Sequence, residues 1–266
     1  GFPGGRRRRK VALPNYPFQR KSYYLNPESD AGRASSAAPS GNPHPYLGCK
    51  IESPCLPGGT VLYQNLFAAD HPAFLREHLI FDKIISPAAA HISMALSAAR
   101  MLTGREANVL ADVTFTSPLV LAENESRVVQ TIVENTGKGE GAFRLVSRWA
   151  GESNADWQVH CAGRLAPANA LPPPRIDLDA IAQRCPASME RSDFYELIEL
   201  AGYLTGPNFQ GIREIHKGEN EALCRIEATG RIDDTAIHPG LIDSVLQTVL
   251  PACEKSAGAM LTGESV

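Results

Sequence analysis

The 266-residue sequence carries 26 basic and 29 acidic side chains, a net charge of −3, and 43% apolar residues. That size and composition support a full core in one large domain or two packed halves, while the weak net charge gives no global field for nucleic acid. No apolar run reaches the roughly 18 residues of a membrane span and no leader-like segment opens the chain, so a cytoplasmic protein is expected, its six scattered cysteines held as reduced thiols.

Residues 1–42 read as a tail. Its basic run, Arg6 to Arg9 with Lys10, is expected to be solvated. Isolated Tyr16, Phe18, Tyr23 and Tyr24 read either as anchors on a neighbouring surface or as part of a free end, and a Ser, Ala, Gly and Pro-rich stretch follows. Residues 43–165 form the first unit. Strands are predicted at 60–67, 109–115, 127–134, 142–149 and 157–165, each rich in β-branched or aromatic residues and bounded by turn formers. One helix is predicted from Ser86-Pro87 to about Leu102, with Ser86 as cap and Pro87 at the first helical position. Its many alanines imply close wrapping by a sheet.

Residues 166–176 form a proline-rich, extended linker. The second unit, 177–266, contains a helix near 194–201, a turn at 202–209, strands at 210–215 and 222–228, and a helix from Pro239 to about Val249. Strands around one embedded helix thus occur twice, the pattern of a duplicated fold.

Two residues stand out for chemistry. His78 lies ahead of the first helix, where amides at the helix start are expected to face a carbonyl oxygen. A lone histidine on an apolar segment is ordinarily structural; the spacing to Pro87 sets this one apart. Asp243 sits among Leu241, Ile242, Val245, Leu246, Val249 and Leu250. Burial there would raise its pKa and favour a proton-donating carboxyl, with Gln247 on the same face to hold it. The competing reading is a solvated Asp on an outer helical face. His91 and His160 read as packing residues, and His71 and His216 as surface residues. No histidine has partners at metal-ligand spacing, so no metal is expected.

Together these motifs resemble the dehydratase domain of a modular polyketide synthase. His78 and Pro87 match the family's His-x-x-x-Gly-x-x-x-x-Pro, and Asp243 and Gln247 match its Asp-x-x-x-Gln/His. His44-Pro45-Tyr46-Leu47-Gly48 is similar to its opening motif, Leu13 to Tyr24 to its preceding linker, and Gly202-Tyr203-Leu204-Thr205-Gly206-Pro207-Asn208-Phe209 to its Gly-Tyr-x-Tyr-Gly-Pro-x-Phe. The resemblance implies an α+β double hotdog, two sheets each wrapped around a helix, with His78 and Asp243 meeting at one tunnel. It implies dehydration of a 3-hydroxyacyl thioester carried on the phosphopantetheine of an acyl carrier protein, without metal or organic cofactor. His78 would be the base, Asp243 the acid, and Gln247, Asp82, Pro87, Tyr203, Gly206 and Pro207 the supporting residues. Acyl carrier protein and neighbouring synthase domains are the implied partners, a homodimer is allowed, and nucleic acid and membrane are not expected.

Three departures stand against the pattern. Asp82 replaces the family glycine, placing a possible charge beside a developing oxyanion. Thr205 replaces the second tyrosine, and the second unit reads as cut short at Val266. The first two keep open a pyran- or furan-forming cyclase of the same fold; a decayed structural domain is the third reading, opposed by the joint presence of His78, Asp243 and Gln247.

Overall fold

The computed structural model describes residues 44–104, 108–137, 140–151, 156–166, 175–228 and 237–253, all within one unit, Pro39–Val266. The expected tail and nearly all of the proline-rich linker lie outside the described residues.

The first half is a six-stranded antiparallel sheet built from β1 (Cys49–Ile51), β2 (Thr60–Ala68), β5 (Val109–Phe115), β7 (Ser126–Gly137), β8 (Glu140–Trp149) and β9 (Gln158–Ala166), in the order β1-β2-β7-β8-β9-β5. Alternation explains its inner face: Val129, Thr131 and Val133 are buried on β7, and Phe143 and Leu145 on β8. This face packs on α1 (Ala88–Thr103), which is buried on most sides. Ala89, Ala90, Ala95, Ala98 and Ala99 let the sheet approach the helix backbone closely. The helix stops at Gly104, whose φ of 65° is left-handed and whose N–H reaches the Arg100 carbonyl.

The predicted start of α1 needs correction by one residue. Pro87 is the N-cap rather than the first helical residue, and Ser86 makes no capping bond. Ser86 instead ends β4 (Lys83–Ser86), paired with Leu119 of β6 (Leu119–Leu121). Ser86 stands one position before the cap, and its buried hydroxyl makes no hydrogen bond among the described residues.

The second half has a three-stranded sheet, β10 (Ala187–Met189), β12 (Ile212–Lys217) and β13 (Ala222–Ile226), with β12 in the middle. Around it lie α2 (Leu178–Arg184), α3 (Arg191–Leu200), α4 (Pro239–Gln247) and α5 (Val249–Ala252). Phe194, Tyr195, Ile198, Ile212 and Ile215 form its small core. A third sheet joins the halves: β11 (Tyr203–Thr205) adds to β3 (His78–Ile80), which continues through β4 to β6. Phe209, from the second half, is fully buried in the first-half core beside Phe74.

All six cysteines are free thiols. Among the described residues, no helix is long and apolar enough to cross a membrane.

Candidate active site

His78 opens β3, immediately after a short 3-10 turn at Ala73–Glu77. The residue is 7% exposed, and its Nδ1 lies 2.8 Å from the Ile85 carbonyl of β4. A carbonyl only accepts, so Nδ1 carries the hydrogen and the neutral ring keeps its lone pair on Nε2. The ring packs on Phe209 at 5.3 Å between centroids. Base geometry is thus set by one strand partner and one aromatic neighbour.

β3 and β4 form a tight hairpin in which Ile80 pairs with Lys83. The two loop residues, Phe81 and Asp82, have φ of 47° and 61°, the left-handed pair of a primed hairpin turn. This corrects the expectation that helix-start amides follow His78 into the site: a hairpin intervenes, and no α1 residue lines the cavity described below. The β-branched Ile80, Ile84 and Ile85 flanking Phe81-Asp82-Lys83 were the only local sign of paired strands. Asp82 sits exposed at the hairpin tip, outside the cavity lining. Its family glycine matches a left-handed backbone, which Asp tolerates better than most residues. The feared charge beside an oxyanion therefore corresponds to a carboxylate on the surface.

Asp243 projects from α4. His238 caps that helix by accepting the Gly240 N–H on Nδ1 (3.1 Å), and Pro239 occupies the first turn. Gly240 is required by close approach, because a Cβ there would collide with the Asn208 carbonyl. Ser244 ties the helix down by accepting the Gly211 N–H (3.1 Å). One turn after Asp243, Gln247 Nε2 donates to Asp243 Oδ2 (2.8 Å) and to the Phe209 carbonyl (3.0 Å). Gln247 Oε1 lies 3.5 Å from the Tyr195 hydroxyl, which itself accepts the Ile212 N–H (3.1 Å). The carbonyl of Phe209 fixes which end of the amide faces Asp243. Burial raises the Asp243 pKa, against the opposing pull of His78 and the Gln247 hydrogen bond.

His78 and Asp243 line one cavity of about 630 Å³. Tyr203, Thr205, Lys217 and Gln247 add polar lining, and Met189, Phe194, Leu197, Ile198, Leu246 and Leu250 supply apolar wall. The reading of Asp243 as a solvated outer-face residue therefore fails. Pro87, Gly206 and Pro207 do not line the cavity: Pro87 caps α1, while Gly206 and Pro207 begin the 3-10 turn Pro207–Phe209. Sequence reasoning missed Tyr195 and the Phe209 carbonyl, since neither contact follows from local spacing. It also missed Glu77, although Glu77 adjoins His78.

His91 and His160 agree with a packing role, and His71 is exposed as expected. His160 is fully buried, with Nε2 2.7 Å from the Ser147 hydroxyl, and His91 lies inside α1 with its ring 6.3 Å from that of His160. Burial, followed by the charge of His160, pushes the His91 pKa down to about 3. Among the described residues, no group of three His, Cys, Asp or Glu side chains gathers to hold a metal.

Comparisons with known proteins identify the chain's relatives. The model described as "Polyketide synthase dehydratase domain" matches residues 44–148, and "Polyketide synthase dehydratase N-terminal domain" matches residues 173–262. Polyketide synthase GfsE of Streptomyces halstedii is 31% identical over 94% of this chain, which spans only 7% of that relative's length. The dehydratase domain from the CurF module of curacin polyketide synthase is 28% identical with a TM-score of 0.71, covering 79% of this chain and 77% of that one. Two variants of the CurK dehydratase, one aspartate-to-asparagine and one histidine-to-phenylalanine, are described as inactive mutants. They are 27% and 28% identical, with TM-scores of 0.69 and 0.70, each covering 79% of this chain and 74% of the other. With a six-stranded sheet around α1, a second helix bearing an acid, and both half-motifs on one cavity, the chain belongs to the polyketide synthase dehydratase domains, the double hotdog family of dehydration in polyketide biosynthesis.

Proposed function

We propose that this domain removes water from a 3-hydroxyacyl thioester carried on the phosphopantetheine arm of an acyl carrier protein, leaving an α,β-unsaturated thioester. His78 Nε2 takes the proton next to the thioester carbonyl, and the electrons of that C–H bond form the new double bond. The bond from carbon 3 to its hydroxyl breaks, and the oxygen leaves as water with the proton of Asp243. Solvent exchange then returns a proton from His78 to Asp243. The single observation that carries this reading is the placement of His78 and Asp243, from different halves, on one cavity, because acid and base must serve neighbouring carbons of one molecule.

Gln247 holds Oδ2, which leaves Oδ1 for the transferable proton, and burial shifts the Asp243 pKa upward, the direction that favours a proton-donating carboxyl. The apolar wall suits an acyl chain, with Tyr203 and Thr205 beside the reacting carbons. Asp82 stays in the scheme only through its backbone, while Pro87, Gly206 and Pro207 shape the elements that carry the site. The two inactive CurK variants support one aspartate and one histidine as the essential pair. The scheme needs no metal or organic cofactor. Its partners are the carrier protein and neighbouring synthase domains.

The test is incubation with a carrier-bound 3-hydroxyacyl thioester followed by mass spectrometry of the carrier arm. Loss of one water mass is expected; unchanged substrate under conditions where the protein is folded would overturn the reading.

A further inference from the structure

The base and the acid come from opposite halves, so something must hold the two in register. The residue before His78 touches the second half at three points. The Glu77 carboxylate accepts the Asn208 backbone N–H on Oε2 (2.8 Å) and the Asn208 side-chain amide on Oε1 (2.7 Å). Its carbonyl accepts the Gly206 N–H (2.7 Å). A Cβ at Gly206 would meet the Glu77 side chain at 2.7 Å, so this approach leaves room only for glycine. On the far side of Asn208, its carbonyl lies against Gly240, in the first turn of the helix that carries Asp243. The next residue, Phe209, packs its ring on His78 and gives its carbonyl to Gln247.

We propose that Glu77 is a positioning residue: its carboxylate clamps Asn208 and thereby sets α4, with Asp243, at working distance from His78. This rests on the dehydratase reading above for its catalytic consequence, though the clamp itself is independent of any substrate. A charge-assisted pair of bonds spanning the two halves is strong enough to fix one geometry. A misplacement of about 1 Å costs on the order of a hundredfold in rate. Carboxylate chemistry is required because Asn208 presents two donors. A glutamine at position 77 has one acceptor and sets its own N–H against one of them.

The test is a swap. Glu77→Gln is expected to lower kcat by about a hundredfold with KM within about threefold, since the apolar wall that binds the chain is untouched. Glu77→Gln combined with Asn208→Asp restores both bonds, because the glutamine carbonyl accepts the backbone N–H at 208 while its amide donates to the new carboxylate. Recovery of kcat to within about tenfold of wild type is expected. Without substrate, backbone amide exchange at Gly206, Asn208 and the first turn of α4 should quicken in Glu77→Gln and slow again in the double variant. Unchanged exchange in α4, or a double variant no better than the single one, overturns the proposal. Failure of the wild type itself to eliminate water sinks the dehydratase reading, and the exchange measurement still decides the clamp.

Discussion

The two embedded helices occupy comparable places in their halves and are built for different work. α1 is sixteen residues long, alanine-rich and covered on most sides, and its buried histidine is driven neutral. α4 has nine residues, leaves Val245 and Leu246 about half exposed among the described residues, and turns an acid into the cavity. The first half therefore concentrates stability, and contributes its base from a short strand outside the main sheet. The second half concentrates the acid and its support on a thinner frame. Deep burial in α1 leaves no path to solvent or substrate, whereas partial cover in α4 raises a carboxyl pKa while leaving the group reachable.

Removing either partner should have the largest effect. His78→Ala and Asp243→Asn are each expected to reduce water loss by about a thousandfold or more, the scale of general acid–base contributions. Mass spectrometry of a carrier-bound 3-hydroxyacyl substrate reads this directly, and wild-type-like turnover in either variant would mean that the roles are misassigned. The stability side follows from the same contrast. Met94→Ala, in the first-half core, should cost about 2–5 kcal/mol, whereas Val245→Ala on the exposed side of α4 should stay within about 0.5 kcal/mol. Equal losses in urea denaturation would erase the division of labour.

A pH series sharpens it further. The His91 pKa is about 3 in the fold and 6.5 when unperturbed. Below pH 6.5 the unfolded chain takes up a proton that the folded chain refuses, so stability falls as pH drops through the window from 6.5 to 3. The slope from this one group approaches about 1.4 kcal/mol per pH unit, and His91→Leu should flatten it by that amount whatever its effect at neutral pH. A slope equal to wild type would place the acid sensitivity elsewhere, with buried His160 the next residue to replace. The smallest change is expected for Asp82→Gly. Its left-handed backbone suits glycine and its side chain lies on the surface, so dehydration should be preserved or modestly increased. A large loss without unfolding would give the Asp82 carboxylate a role of its own and revive the cyclase reading.

Strand periodicity in the first half was readable to within a few residues, because alternating burial follows directly from sequence: the predicted strand at 127–134 lies within β7, where every second residue from Val129 to Val133 is buried. The hairpin containing His78 was not read as such. Its strands have only three and four residues, too short for alternation to stand out from a helix approach. The pair His78 and Asp243 was visible through motif spacing. Tyr195, Glu77 and the Phe209 carbonyl were hidden, since each acts through a contact spanning thirty or more positions, and sequence distance carries no sign of such contacts.

The pairing of β11 with β3 places a strand of the second half on the edge of the hairpin that holds His78, with Thr205 opposite His78 itself. Anyone recombining such domains at the proline-rich junction would separate those strands and strip the hairpin of its neighbour, exposing backbone groups that invite unwanted association. A chimera that keeps residues 203–209 with the donor of His78 preserves that pairing. The practical unit of exchange is therefore an interleaved block, in which the segment from Tyr203 to Phe209 travels with the half it touches rather than the half it follows in the chain.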